Sequence, residues 1–522
     1  MRLTSNQATL STSFYYRLGI SLTISILLCL YLPRFLTVGT FTDGPTYAAL
    51  ARNMAVGYGS WWAPRYGEVD SFWLEGVRGD SFYEHPPLML IIESFFFRSL
   101  GDHWWVEELF CALIGVLFLW LLGLNWRLLF PTSPLNRFSW LPILFVCLLP
   151  VIRFCITSNH LDSLLLVWVQ FSFYQLCRLI LRGRISGLYW AAFGIFLGFL
   201  TKGPFALFLL ATPALYYIAR PGGPYPVGRA CSQTALLTVV VALLIGALFT
   251  YSPARSFFNH YFNQQIIRAL QGTRSDFSES SLTGWGRFFV LVTLVKNLLP
   301  MGIVSGVSLA WTRWRLKRPL TFWTGNQHIL LWLVLIGLSG ILPIMVSPKQ
   351  NAYYIASGVP FLGIVIAFVF AGCLTEWLTA RSTKPTFFIQ LISLSTPILI
   401  SLGLTILFIR NNVLTGTEPH FRRGIHEILA LKQIPKGTVV AVKDKELITK
   451  AWGLNMSLQR FGRITLTMDT TLTPYRLSLI KQSQLYTPDF YPVEQVPSFG
   501  IQFWLPKAKH QPAIATNRIS AH

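Results

Sequence analysis

Residues 158–184 read SNHLDSLLLVWVQFSFYQLCRLILRGR, and this stretch holds the features that decide the fold. Its middle part is predominantly apolar over about the 20 residues that a helix needs to cross a bilayer. Asp162 stands at one end of the apolar run, and the basic residues from Arg178 to Arg184 stand at the other. Because Lys and Arg concentrate in cytoplasmic loops, the stretch predicts a transmembrane helix whose acidic end lies on the outer side.

Apolar runs of similar length recur through most of the chain. Of its 522 residues, 53% are hydrophobic and 12% are charged, a balance that excludes an ordinary soluble protein. We therefore expect an all-α polytopic membrane protein with about 11 transmembrane helices, the first retained rather than cleaved as a signal peptide. The approximate predicted spans are 18–38, 107–126, 140–157, 162–181, 187–200, 204–219, 231–250, 286–310, 327–346, 351–372 and 387–409.

The formal net charge of +22 indicates which partners to expect. In a membrane protein, excess Lys and Arg marks cytoplasmic loops and contacts with anionic lipids, so we expect membrane lipids and no nucleic acid as partners. With the N-terminus in the cytoplasm, every strongly basic loop lies on the cytoplasmic side. These loops hold Arg127 and Arg137, Arg178 to Arg184, Arg220 and Arg229, Arg313 to Arg318, and Arg381 with Lys384. The expected location is the plasma (inner) membrane, crossed many times.

The same threading places residues 39–106, several short turns and the C-terminal tail on the outer side. The first outer loop is rich in Trp, Tyr and Phe, and stretches such as Pro87 to Leu100 predict amphipathic helices lying along the interface. From Asn411 onward, short apolar runs alternate with Gly and Pro turns, which predicts a small outer α/β domain. We therefore expect a transmembrane domain over residues 1–410 and an outer C-terminal domain over residues 411–522.

Two acidic residues stand at the outer ends of predicted spans. Asp43 follows the first span, and Asp162 follows the third. Taken alone, Asp43 is typical of the N-cap of a helix that Pro45 begins. Two acids from separate helices on one surface indicate a functional site, because ionisable groups at the membrane edge are costly. A carboxylate there is suited to take the proton from an acceptor hydroxyl while a phosphate leaves a sugar.

Three cations reach the same predicted side as these acids: Lys202, Arg268 and Lys349. A departing phosphate needs positive charge, and such groups stabilise the charge that develops on it. The alternative for each is a snorkelling cation, which is common near helix ends. For Lys202 the functional interpretation is favoured, because this residue interrupts a run of apolar and aromatic residues.

A metal site is a further hypothesis for the outer side. Glu84 and His85 precede the rigid pair Pro86 and Pro87, and His160 and His260 also lie outside, so a divalent metal ion is a candidate cofactor. Hydrogen-bonding histidines are the alternative, since the spacing matches no recognised metal signature. The seven cysteines lie in or beside apolar runs and are expected to be buried thiols without disulfides.

The sequence lacks the motifs of a soluble nucleotide-dependent enzyme. It has no Walker loop, dinucleotide fingerprint or nucleophile elbow in the required setting. Nucleotide sugars are made inside cells, so an enzyme that works outside is expected to use a sugar already carried across on a lipid.

Several motifs, taken in order, resemble glycosyltransferase family 39, the protein mannosyltransferases and lipid A aminoarabinose transferases of the C-type membrane glycosyltransferase superfamily. The resemblance covers residues 18–409 and depends on the order of the motifs rather than on any single one. They are Asp43-x-x-x-Tyr47-Ala48, Ala51 to Met54, Gly59 to Trp62, Glu84-His85-Pro86-Pro87-Leu88, Gly101, Leu161-Asp162, Leu200-Thr201-Lys202-Gly203, Arg268, and Ser347 to Tyr354.

This resemblance implies an inverting transferase with a C-type glycosyltransferase fold. Its donor would be a polyprenyl-phosphate-linked pentose or hexose, and its acceptor a hydroxyl of a glycolipid, glycan or protein. It makes Asp43 the catalytic base and Asp162 a second acid in the site. The remaining implied roles are Lys202, Arg268, Lys349 and His85 at the donor phosphate, Tyr47, Tyr83 and Tyr353 lining the site, and Glu84 at an optional metal position.

The chain departs from the family at several motif positions. Gly44 stands where the family often has Glu, and His85 where it often has Lys, so His85 would bind phosphate only when protonated. Gln264-Gln265 replaces a Glu-His pair of the aminoarabinose branch, which weakens the case for a metal. Thr46 replaces a basic residue of that branch, so neither sugar nor acceptor follows from the resemblance.

Two other functions share the lipid carrier. A transporter or flippase of lipid-linked glycans would also place charges in the membrane, but it usually shows internal repeats and a site near the midplane. Here no repeat is evident and the charges cluster toward one face, which favours the transferase. A polysaccharide polymerase differs mainly in its acceptor and stays an alternative.

Overall fold

The computed structural model describes residues 5–38, 43–67, 81–131, 134–272, 285–317, 320–379, 387–411, 419–443, 452–481 and 489–507. The chain forms two compact units. The first comprises Met1–Leu36, Tyr83–Met89 and Glu108–Thr415, and the second comprises Thr37–Phe82, Leu90–Glu107 and Gly416–His522. The predicted domain boundary after residue 410 stays a prediction.

Helices dominate the described residues. In chain order they are α1 (Ser5–Phe35), α2 (Asp43–Ala55), α3 (Leu88–Leu100), α4 (Val106–Leu129), α5 (Trp140–Cys147), α6 (Pro150–Thr157), α7 (Leu161–Arg182), α8 (Ser186–Lys202), α9 (Thr212–Ala219), α10 (Val227–Leu248), α11 (Ser252–Tyr261), α12 (Arg268–Gln271), α13 (Phe289–Leu316), α14 (Gln327–Ile341), α15 (Val359–Thr379), α16 (Phe387–Arg410), α17 (Pro419–Leu429) and α18 (Trp452–Ser457). The strands are β1 (Gly59–Ser60), β2 (Ala63–Pro64), β3 (Val439–Val442), β4 (Thr465–Thr467), β5 (Arg476–Leu479), β6 (Phe490–Val496) and β7 (Ile501–Pro506).

The helical segments confirm a multi-pass membrane protein. Within the described residues, nine are long and apolar enough to cross a membrane, or ten if the bent pair α5 and α6 counts as one span. The predicted span 140–157 is this pair, and its axis turns by 85° at the break. Pro150 explains the break, because proline donates no backbone hydrogen bond and its ring clashes with the preceding helical turn.

One of the nine segments, Ser186–Ala219, is 34 residues long and contains two predicted spans, 187–200 and 204–219. In a straight helix, residues eight positions apart lie about 12 Å apart along the axis. A Cβ placed on Gly198 would nevertheless lie 2.6 Å from the Cβ of Ala206. The chain therefore folds back between them, at Lys202 and Gly203, where Gly203 adopts a positive φ of 66°.

Within the first unit, buried polar contacts fix how α4 and α7 align. The Asn125 side-chain amide donates to Gln170 Oε1 at 2.9 Å and to the Gln170 carbonyl oxygen at 3.1 Å. Small residues allow α8 to approach α7, since a Cβ on Gly194 would collide with the Ser172 hydroxyl. These contacts hold the first turn of α7 beside the last turn of α8.

The second unit contains the predicted α/β structure. Its five-stranded sheet has the order β4-β3-β5-β7-β6, with β3 parallel to β4 and β5, and β7 antiparallel to β5 and β6. Val440, Leu466 and Phe503 from the strands form its core with Ile425 and Ile428 of α17. The expected small α/β domain near the C-terminus is thus confirmed.

Residues of the first predicted outer loop belong to this second unit. Trp104 packs against the core of the sheet. A helix over Leu88–Leu100 follows Pro87 as expected, and its position along the membrane interface stays a prediction. Arg460 is buried and donates to Glu107 Oε2 at 2.6 Å and to Asp102 Oδ1 at 2.8 Å. Burial lowers the pKa of the Arg460 guanidinium, but the charges of Glu107 and Asp102 raise it by more, so it stays a cation.

Candidate active site

A buried ion pair joins α8 to α7 in the first unit. Lys202 is the last residue of α8, and its ammonium group donates a hydrogen bond to Asp162 Oδ2 in the first turn of α7. The side chains are only 3% and 1% exposed. A buried charge is costly unless it is paired, so each residue stabilises the charged form of the other. The structure thus brings together two of the predicted site residues.

His160 adds a second donor to the same carboxylate. Its Nδ1 lies 2.7 Å from Asp162 Oδ2 and 3.4 Å from the Asp162 backbone nitrogen. Two acceptors at 2.7 Å would repel each other, so Nδ1 carries the proton and donates to the carboxylate rather than accepting from the backbone. Asp162 Oδ1 is buried and has no hydrogen-bond partner among the described residues. One carboxylate oxygen therefore holds two donors, and the other can accept one more.

The turn before α7 explains how His160 reaches this position. Asn159 has a φ of 47°, the left-handed conformation that Asn tolerates better than most residues. The Cys111 thiol lies 3.6 Å from Asn159 Oδ1, which fixes the buried amide. This turn places His160 at the N-cap of α7, directly before the acid it contacts.

Aromatic rings surround the Lys202 ammonium group. The Nζ atom lies 4.9 Å from the centre of the Phe205 ring, 5.0 Å from that of Tyr353 and 5.2 Å from that of Tyr354. At these distances the ring faces attract a cation. Asn351 donates a hydrogen bond of 2.7 Å to the Tyr353 hydroxyl and so orients that ring. Tyr353, a predicted lining residue, is thus beside Lys202.

A metal-type donor set lies at the same place. Among the described residues, one ligand atom each from Cys155, His160 and Asp162 lie within 4.8 Å of one another, and all three residues are buried. Asp162 Oδ2 already accepts from Lys202 and His160, so a metal ion would fit only if these donors moved. The ammonium of Lys202 provides the cation at this carboxylate. Glu84 is not in the group, and its metal role stays a prediction.

Helix α11 connects the predicted residue Tyr83 to the Lys202 turn. The Tyr83 ring stacks on His260 at 4.8 Å between centroids and contacts Phe257 at 5.5 Å. Phe257 in turn stacks on Tyr261, and a Cβ on Gly203 would collide with the Tyr261 hydroxyl. Tyr83 and the Lys202 turn therefore pack against the same helix.

The segments that carry Arg268 and Lys349 approach each other. Arg268 is exposed at the start of α12, which ends before Gly272. A Cβ on Gly272 would lie 3.7 Å from Cγ of Pro348, the residue before Lys349. Gln350 anchors this turn by accepting from the Val290 amide and donating to two backbone carbonyl oxygens.

Two other predicted residues lie in the second unit. Asp43 is the first residue of α2 and is partly buried. Tyr47 follows one turn later, is buried, and packs edge-on against Phe82 at 6.1 Å. Glu84 and His85 belong to the first unit and are partly buried. The chemical roles of all four stay predictions.

Some residues of the site were missed by sequence reasoning. His160 was considered as a metal ligand or as a hydrogen-bonding histidine, but Asp162, two residues later, was not named as its partner. Phe205 and Tyr354 were not predicted as site residues, although they lie close in sequence to the predicted residues Lys202 and Tyr353. Cys155 had no distinguishing signal beyond its place in an apolar run.

A family model for dolichyl-phosphate-mannose-protein mannosyltransferase matches residues 84–252, which include Asp162 and Lys202. No curated protein matches the sequence. The expected resemblance to glycosyltransferase family 39 is thereby confirmed over residues 84–252, and the apolar helices of the described residues make this a multi-pass membrane protein.

Solved structures show the same fold at low sequence identity. ArnT from Cupriavidus metallidurans bound to undecaprenyl phosphate is 14% identical with a TM-score of 0.59, covering 94% of this chain and 98% of that chain. The apo state of the same protein is 15% identical with a TM-score of 0.60 and the same coverage. The oligosaccharyltransferase from Archaeoglobus fulgidus in its apo form is 11% identical with a TM-score of 0.52, covering 91% of this chain and 70% of that chain.

Proposed function

We propose that this protein transfers a pentose or hexose from a polyprenyl-phosphate donor to a hydroxyl of a glycolipid, glycan or protein on the outer face of the membrane. The observation that carries the proposal is the buried cation of Lys202, held by Asp162 inside an aromatic pocket. The matched family model, which names a transferase of dolichyl-phosphate-mannose, supports this donor class. The similar fold of an ArnT bound to undecaprenyl phosphate also supports it.

The reaction is a single displacement that inverts the anomeric carbon. Asp43 takes the proton from the acceptor hydroxyl as its oxygen forms a bond to that carbon. The bond between the anomeric carbon and the phosphate oxygen breaks, and its electron pair leaves on the phosphate. The products are the glycosylated acceptor, the lipid phosphate and a protonated Asp43.

Lys202 stabilises the phosphate as it leaves. An ammonium group has three donors, and among the described residues Lys202 uses one of them, for Asp162. The other two are available to phosphate oxygens, and charge-assisted bonds of this kind strengthen as the phosphate gains charge. Asp162 is then a positioning residue that orients the ammonium group in apolar surroundings.

The remaining predicted residues complete the donor site. Arg268 and Lys349 provide further positive charge for the lipid phosphate, together with His85 when it is protonated. The rings of Tyr47, Tyr83 and Tyr353 line the site for the sugar and the lipid.

The proposed orientation places the N-terminus in the cytoplasm. It is supported by α7, which has Asp162 in its first turn and Arg182 in its last. The positive-inside tendency then directs the Arg182 end to the cytoplasm, and the active site and the C-terminal region to the outer side.

The test is transfer of radiolabelled sugar by the purified protein in lipid, using a panel of polyprenyl-phosphate sugars. We expect transfer by the wild type and a loss of about 10²-fold or more in Asp43→Asn, the usual effect of removing a catalytic base. Asp469→Asn is the matched control, because it removes the same charge from an exposed acid near the C-terminus. Full activity of Asp43→Asn would refute the assigned base. Movement of the carrier across the bilayer without sugar transfer would instead favour the flippase.

A further inference from the structure

A cavity of about 290 Å³ lies at the other end of α7 from Asp162. Four arginines line it: Arg127, Arg178, Arg182 and Arg184. None of these residues belongs to the proposed transfer site. All lie in or just beyond the last turns of α4 and α7, so the cavity is at the predicted cytoplasmic boundary of the membrane.

Helical spacing explains why the lining residues converge. Tyr174, Arg178 and Arg182 lie at intervals of four along α7, which places them on one face. On α4, Arg127 and Leu128 lie three and four positions after Leu124, so these residues also share a face. Two helix faces therefore meet across the cavity, and leucine side chains of α4 line it together with guanidinium groups of both helices.

The C-cap of α7 brings in the fourth arginine. Gly183 has a φ of 63°, a conformation that costs little only for glycine. The Arg184 amide then donates back to the Arg178 carbonyl oxygen at 3.1 Å. This left-handed turn reverses the chain at once, so Arg184 lines the same cavity as Arg178.

These guanidinium groups have no counter-charge in the part of the chain that the structure describes. Arg127 donates to the Ser139 hydroxyl at 3.4 Å, and Arg178 donates to Gln175 Oε1 at 2.8 Å. None of the four forms an ion pair with a described carboxylate, and most of their donors remain available. Four like charges around one concave surface repel each other, and a bound anion would relieve that repulsion.

We infer that this cavity binds a phosphate-bearing anion. A guanidinium group can donate two parallel hydrogen bonds to two phosphate oxygens. Basic pockets between transmembrane helices on the cytoplasmic side bind anionic lipid headgroups. Leu124 and Leu128 provide an apolar wall for the first methylenes of an acyl chain. An anionic phospholipid fits this combination, and a soluble polyphosphate shares only the phosphate chemistry.

The test compares two variants with the same charge change. Arg182→Gln/Arg184→Gln removes two cavity arginines that are exposed and so should not impair folding. Arg313→Gln/Arg315→Gln removes two exposed arginines from the last turn of α13, outside the cavity. Native mass spectrometry would count cardiolipin adducts on the full-length protein released from phosphatidylcholine nanodiscs containing cardiolipin. Protection from thermal unfolding by inorganic pyrophosphate would report a soluble anion.

We expect cardiolipin binding to weaken by about 25-fold in the cavity variant, because each Arg beside an anionic headgroup contributes roughly a factor of five. The α13 variant should bind as the wild type does. If pyrophosphate protects the wild type from unfolding while cardiolipin does not bind, and only the cavity variant loses this protection, the site exists but its ligand is a soluble anion. Absence of binding in both assays, or equal loss in both variants, would overturn the inference.

Discussion

The ammonium group of Lys202 and the carboxylate of Asp162 form a buried ion pair, although the two residues are 40 positions apart in the chain. The pair depends on the packing of α8 against α7, which brings Lys202, the last residue of α8, to the first turn of α7. Removing one partner would leave the other charge buried, whereas removing both would not. Comparing single and double variants therefore distinguishes a role of the pair in stability from a role in transfer.

Asp162→Leu should therefore lower the free energy of unfolding by about 3–5 kcal/mol, the usual cost of breaking a buried pair, and should abolish transfer. The double variant Asp162→Leu/Lys202→Met removes both charges and should recover most of the stability without recovering transfer. Thermal unfolding in detergent and the radiolabel assay would measure the two effects. A double variant as unstable as the single one would contradict the pairing.

Gly203→Ala tests the turn that places Lys202. Gly203 has a positive φ, and an added Cβ would collide with the Tyr261 ring. The control is Gly222→Ala, where φ is 73° and no atom lies within 4 Å of the added Cβ. We expect Gly222→Ala to cost about 1–2 kcal/mol from backbone strain alone. Gly203→Ala should lower the free energy of unfolding by more than this and should also lower transfer. Equal losses in the two variants would show that the Tyr261 side chain moves to accommodate the added Cβ.

Arg460→Gln should destabilise the second unit. Arg460 is buried and bonded to Glu107 and Asp102, so the variant leaves two carboxylates with fewer donors. We expect a loss of about 3–5 kcal/mol in the free energy of unfolding. Arg423→Gln removes an exposed arginine from α17 and should stay within about 0.5 kcal/mol of the wild type. Limited proteolysis and thermal unfolding would compare them, and similar curves would refute the structural role of Arg460.

Hydropathy was sufficient to predict most of the helices, because a run of about 20 apolar residues is itself the property that a transmembrane helix requires. It predicted 187–200 and 204–219 as separate spans, whereas in the structure both lie within the one apolar segment Ser186–Ala219, which folds back at Lys202 and Gly203. It also predicted 140–157 as one span, where the structure has a sharp bend. That bend depends on the single residue Pro150, and hydropathy averaged over a span does not detect it.

Pairing between distant residues could not be predicted in this way. The outer ends of the spans indicated that Asp162 and Lys202 share a face, but not that they are in contact. Likewise, composition separated residues 411–522 from the spans without showing that Arg460 bonds to Asp102, 358 positions away. Such contacts depend on how helices pack, and a single sequence carries little information about that.

Transfer should persist after treatment with EDTA, because Lys202 provides the cation at Asp162. Cys155, His160 and Asp162 place their ligand atoms close together, but Asp162 Oδ2 already holds two donors. A divalent ion would have to displace the Lys202 ammonium group or His160 from that oxygen. Cys155→Ser should likewise retain activity, since the thiol is needed only if a metal binds. Loss of transfer in EDTA, with recovery on adding Zn²⁺ or Mg²⁺ to the wild type but not to Cys155→Ser, would contradict this prediction and indicate a functional metal at Cys155, His160 and Asp162.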